Sequence, residues 1–121
     1  MAMTSKGDIA CGASNGLAFA PSDLSAPGTW YLKGKRIQAM KEIKPDLFLI
    51  ATWNSHDLLL FNRSSATTSK LINPLGTCHY RHIATAERKI KDSESIIVYI
   101  GCNLGTVRLD ESGLLSIVNQ R

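Results

Sequence analysis

Three segments of this chain share one pattern, and that repetition limits the folds open to it. They are Asp8-Ile-Ala-Cys-Gly-Ala-Ser-Asn-Gly16-Leu-Ala-Phe-Ala20, Asp46-Leu-Phe-Leu-Ile-Ala-Thr52-Trp-Asn-Ser-His-Asp57-Leu-Leu-Leu-Phe-Asn62 and Ser95-Ile-Ile-Val-Tyr-Ile-Gly101-Cys-Asn-Leu-Gly105-Thr-Val-Arg-Leu-Asp110. Each runs from an apolar stretch through a small residue (Gly12, Thr52 or Gly101) to a polar turn with Asn, then to a second apolar stretch. The small residues stand about 40 and about 49 positions apart, close to the length of one propeller blade.

Each segment reads as a β-hairpin. The first strand is almost wholly apolar, as a strand covered on both faces should be. Asn and Gly in the turn tolerate the positive φ that tight hairpins need. Further strands are expected at Thr29 to Leu32, Ile37 to Met40, Lys70 to Asn73, His79 to Ala84 and Leu114 to Asn119. Short strands with turn signals every several residues indicate an all-β fold, a sandwich or a propeller. Helix has little support. Gln38 to Lys44 could turn once or twice before Pro45, and Thr85 to Asp92 reads as a short helix or a loop. Ala20 to Gly28 and Arg63 to Ser69 read as exposed loops.

At 121 residues and 44% hydrophobic content the chain has the size and the apolar content for one cored domain. No apolar run approaches the roughly 20 residues of a membrane helix, so no membrane span is expected. Met1 to Gly12 lacks the basic-then-apolar order of an export signal. Cys11, Cys78 and Cys102 are three and widely spaced, which points to reduced thiols and an intracellular setting, nuclear or cytoplasmic. The net charge of +4 is shared evenly between the two halves, so there is no basic tail.

Gly105-Thr106-Val107-Arg108-Leu109-Asp110 resembles the third strand of a WD repeat without its tryptophan. Trp53-Asn54-Ser55-His56-Asp57-Leu58-Leu59-Leu60-Phe61-Asn62 resembles the same place in another blade, with Phe61-Asn62 where the family has Trp-Asp. Asn15-Gly16-Leu17 fills the turn of the first. The resemblance extends from Gly7 to about Asn119, and no blade carries both the Gly-His start and the Trp-Asp end. Ile43 to Asn62 and His79 to Asp110 are similar to the first blades of the mitotic-checkpoint and messenger-RNA-export WD-repeat proteins, with Thr52-Trp53-Asn54 and His82 in the matching places. The citron-homology propellers share the Asn-Gly-Leu feature and remain an alternative. The resemblance implies a partial WD-type β-propeller of about 2.75 blades: blade 1 about 7–32, blade 2 about 36–74, blade 3 about 79–119. The first blade would lack its opening strand. Propellers close with four to eight blades, so another segment, chain or protomer is expected to complete the ring.

The candidate chemistry is sparse. Cys78-His79-Tyr80-Arg81-His82 could offer zinc ligands, but structural zinc needs four, and no second pair exists. No metal and no cofactor is therefore expected. Cys102 with His56 or His79 lacks the ordering of a thiol nucleophile and its base. The turn glycines lack the Lys-Ser/Thr ending of a phosphate loop. No enzymatic activity is expected. Lys33, Lys35 and Arg36, with Lys41 and Lys44 beyond, follow Trp30 and Tyr31, so binding of nucleic acid or an anionic surface through the basic turn Lys33 to Lys44 is the alternative function. The main expectation is a scaffold for protein or peptide partners. It uses Trp53 as an anchor, since Trp is enriched at binding hot spots, with Asn54, His56, Lys33, Lys35 and Arg36 around it.

Overall fold

The computed structural model describes residues 2–23, 25–53, 57–90, 93–110 and 113–120, with the backbone alone for 86–90 and 93–96. The described residues form strands and turns and contain no helix. Twelve strands follow in order: β1 (Ala2–Met3), β2 (Ile9–Ala13), β3 (Gly16–Ala20), β4 (Thr29–Tyr31), β5 (Ile37–Lys44), β6 (Leu47–Thr52), β7 (Leu58–Asn62), β8 (Thr67–Leu71), β9 (Tyr80–Ile90), β10 (Ser93–Cys102), β11 (Gly105–Leu109) and β12 (Leu115–Gln120). They make three four-stranded antiparallel sheets, β1 to β4, β5 to β8 and β9 to β12, each a simple meander.

The all-β expectation holds at this level, with three differences in detail. The first sheet has an opening strand after all, the two-residue β1, so the sheets hold four strands each. Gln38 to Lys44 lies in β5, and Thr85 to Ile90 belongs to β9, where neither forms a helical turn. Both stretches have little apolar periodicity of their own. Their partners β6 and β10 are dense in β-branched and large apolar residues, and ladder pairing with them overrides the weak local preference. β8 starts at Thr67, inside the stretch expected to be loop.

The position of the middle sheet between the other two explains why β6 and β7 are almost wholly apolar. Successive side chains alternate between faces. Phe48, Ile50, Leu59 and Phe61 pack toward the first sheet with Ala10, Leu17 and Phe19. Leu49, Ala51 and Leu58 pack toward the third sheet with Val98, Ile100, Val107 and Leu109. Phe19 meets Phe48 edge-on at 5.1 Å between ring centroids, and Tyr31 lies 5.1 Å from Phe61. At about 25 cal/mol per Å² of apolar surface removed from water, these two layers supply the main driving force. Between the sheets, β5 packs against β2 on one side and β9 on the other.

The three hairpins are equivalent, in a register that the sequence pattern misses by one residue. Ala13 faces Gly16 and Cys102 faces Gly105, and Thr52 donates its N–H to the Asp57 carbonyl at the same place. Ala51, not Thr52, is therefore the counterpart of Gly12 and Gly101. Gly16 and Gly105 have φ of 153° and 144°. A Cβ on either would strike the backbone of the fourth strand, at the Tyr31 and Asn119 carbonyls. In the first and third hairpins only glycine fits that corner, whereas the longer turn of the middle hairpin places Asp57 there.

With this register each sheet has two distinct faces. The front carries Ala10, Gly12, Leu17 and Phe19 in the first sheet and Leu49, Ala51, Leu58 and Leu60 in the second. In the third it carries Tyr99, Gly101, Thr106 and Arg108. The front of the first sheet meets the back of the second, and the front of the second meets the back of the third. The series is open: among the described residues, nothing covers the back of the first sheet or the front of the third.

Opposite the hairpin turns, polar contacts tie the first sheet to the second. Arg63 forms a two-pronged pair with Asp8 and lies 4.1 Å above the Phe19 ring. Lys6 pairs with Asp46 at 2.7 Å, and the Ser5 amide and hydroxyl both donate to Glu42. Cys78 and Cys102 are joined as a disulfide, leaving Cys11 as the free thiol. This corrects the expectation of three reduced thiols.

Candidate functional site

The meander puts most of the candidate residues on one end of the stack. In each sheet the fourth strand returns to the level of the central hairpin turn. The connection to the next sheet therefore starts there. The turns after β2, β6 and β10 and the connections 32–36 and 72–79 share this end. The chain ties them together. Gly34 donates to the Asn15 carbonyl at 2.9 Å, Trp53 to the Arg36 carbonyl at 2.8 Å, and Asn103 to the His79 carbonyl at 3.2 Å. The last two bonds are counterparts in successive sheets, so the connection is held in the same way twice.

Trp53 and Arg36 come together as a pair. The Arg36 guanidinium lies 4.4 Å from the Trp53 ring centroid, with its carbonyl already holding the Trp53 amide. Such cation–π stacking contributes about 0.5–1 kcal/mol where solvent reaches it. It fixes the indole while leaving Trp53 45% exposed. Thr52 and Asp57, which flank it, are tied to each other. The fully buried Thr52 accepts the Asp57 amide on its hydroxyl at 2.8 Å and also bonds the Asp57 carbonyl.

Asp57 gathers the nearby charge. Its carboxylate lies 3.0 Å from Lys70 Nζ and 3.8 Å from Lys35 Nζ. One carboxylate thus holds two lysines, and Lys35 is partly neutralised. Lys33 is exposed on the same connection. Lys41 lies midway along β5 and Lys44 at its far end. The basic segment is therefore spread along a strand of about 25 Å and does not form one patch. Asn54 and His56 lie outside the described residues.

Beside Asp57 a groove of about 320 Å³ runs between the middle and third sheets. Lys70, Leu71, Ile72, Asn73 and Tyr80 line it. Ile72 is 88% exposed at its mouth. The floor is braced: Asn73 Nδ2 donates to Tyr80 Oη at 2.8 Å and reaches Cys78 Sγ at 3.4 Å. Burial pushes the Tyr80 phenol up, against the opposing pull of the Asn73 bond, so it stays protonated.

The sequence reading missed Asp57, Lys70 and this groove. Asp57 and Lys70 are 13 positions apart and become neighbours only through the β7–β8 pairing. The Cys-His cluster is taken apart. Cys78 is bridged to Cys102, and the exposed His82 ring lies over Gly101. Among the described residues, no three His, Cys, Asp or Glu side chains converge as metal ligands. No described helix is long and apolar enough to cross a membrane. Comparison with protein-family models, curated proteins and solved structures finds no match for this chain.

Proposed function

We propose that this chain is a section of a WD-type β-propeller that works as a non-enzymatic scaffold for protein or peptide partners. Three four-stranded meanders packed front to back, with β5 against both β2 and β9, support the propeller reading. The observation that carries the binding role is Trp53, half exposed yet clamped by Arg36 and by the Thr52–Asp57 turn. A fixed, exposed indole loses little freedom on binding, which is what makes aromatic anchors effective. A short peptide crossing this end sets an apolar side chain on Trp53 and a second in the groove beside Ile72. The Asp57–Lys35–Lys70 group meets its polar backbone.

The test is selection of a random short-peptide library on the 121-residue chain. Selected peptides lose about tenfold or more in affinity for Trp53→Ala, while its melting temperature stays close to that of the parent. Unchanged affinity in the folded variant overturns the reading. Nucleic-acid binding remains the second reading through Lys33, Lys35 and Arg36. It is weakened because Asp57 and Trp53 already engage two of these three. A labelled single-stranded DNA probe titrated across a salt series decides it, since phosphate-driven binding falls steeply with salt.

A further inference from the structure

The two uncovered faces of the stack differ in kind. The back of the first sheet presents Ile9, Cys11, Ala13, Ala18, Ala20 and Trp30, with no charged group among them. Trp30 is 44% exposed. The front of the third sheet presents Tyr99, Thr106 and Arg108 around Gly101, beside a hollow of about 250 Å³ lined by His82, Gly101 and Thr106. Gly101 is the counterpart of Gly12, and Ile37 of the second sheet sits directly above Gly12. Over Gly101 that place is taken by the His82 ring of the same sheet, and the hollow lies beside it.

We infer that a second copy of this chain supplies the next sheet, with the front of one third sheet packing on the back of the other first sheet. The inference rests on the propeller reading above. Both internal junctions are front to back, so the free faces are the two halves of a third such junction. Two copies give six sheets, within the four to eight of known rings, while three copies overshoot it. Area points the same way. The first sheet limits the junction: its strands of two, five, five and three residues give about 240 Å² per face. A two-copy ring covers four such faces, about 950 Å², close to the roughly 1,000 Å² expected of a specific interface. Pairing through first-sheet backs alone covers about 480 Å² and falls well short of it. The Arg108 stem can lie on the apolar face while its guanidinium reaches the edge.

Sedimentation equilibrium of the 121-residue chain tests this. The expected result is twice the 13.2 kDa chain mass. Ala18→Arg on the free back and Thr106→Arg on the free front should each give single chains, and mixing the two variants should restore a weaker pair through the one intact junction. Ile9→Lys and Arg108→Glu replace either variant that does not fold. Single chains throughout, open polymers that lengthen with concentration, or a dimer broken by Ala18→Arg but not by Thr106→Arg each overturn the inference. Peptide binding at Trp53, measured on the single-chain variants, reports on the scaffold reading separately.

Discussion

Arg63, the residue after β7, reaches back 55 residues to Asp8 and closes on its carboxylate with both guanidinium nitrogens, the Nη1–Oδ1 arm at 3.0 Å. The pair spans the first two sheets and roofs Phe19. The Arg63 hydrogen bond is the main reason the Asp8 carboxyl titrates at about 2, with Thr4 adding a second bond against the cost of burial.

A depressed acid contributes stability above its unfolded value and loses it on acidification. The contribution of Asp8 should be complete above about pH 4 and fade as pH falls toward 2. Asp8→Asn should lower stability by about 1 kcal/mol at neutral pH, a modest figure because both groups keep some solvent contact. It should also flatten the acid limb relative to the parent. Urea midpoints at a series of pH values measure both, and identical acid limbs for the two proteins contradict the pairing.

Gly12 should tolerate no side chain. A Cβ there would lie 2.6 Å from Ile37 Cγ2 and 3.0 Å from Ile37 Cβ, in the layer between the first and second sheets. Gly12→Val is expected to cost about 1–3 kcal/mol through overpacking. Chemical denaturation reads this directly, and a neutral effect would mean the sheets are not packed in this register.

Thr52 should matter more to the turn than its size suggests. Thr52→Val keeps the shape but strips the hydroxyl from a fully buried site and leaves the Asp57 amide without that acceptor. A loss of about 1–2 kcal/mol is expected. Hydrogen exchange at the Asp57 and Leu58 amides should quicken with it. Unaltered exchange would show that the hydroxyl does not hold the turn.

One thiol per chain should be reactive. Cys11 is free and partly exposed, while Cys78 and Cys102 are bridged and buried. Alkylation in denaturant without reductant should add one group by mass, and three after reduction. Three groups without reductant would contradict the bridge.

What could be read from the sequence was what local pattern encodes. Asp46 to Asn62 and Ser95 to Asp110 carry apolar runs around an Asn-bearing turn, and both fold as hairpins. What could not be read depends on partners far along the chain. The polar run from Thr85 to Ile90 becomes strand because Ser93 to Val98 pairs with it. The correspondence of Ala51 with Gly12 and Gly101 is hidden by a longer turn after β6, where Thr52 and Asp57 close the ladder. At the candidate site the pattern singled out Trp53 and the basic turn. Arg36 stacking, the sharing of Asp57 between Lys35 and Lys70, and the groove along β8 follow from packing alone.

Phe48 and Leu49 are neighbours in β6 and serve opposite layers, which makes them the sharpest probe of the front-to-back stack. Nuclear Overhauser spectra should show the Phe48 ring against Phe19, and the Leu49 methyls among those of the third-sheet cluster around Val98 and Ile100. Cross-peaks from both residues to one sheet, or a Leu49 side chain with no third-sheet neighbours, would contradict the stack.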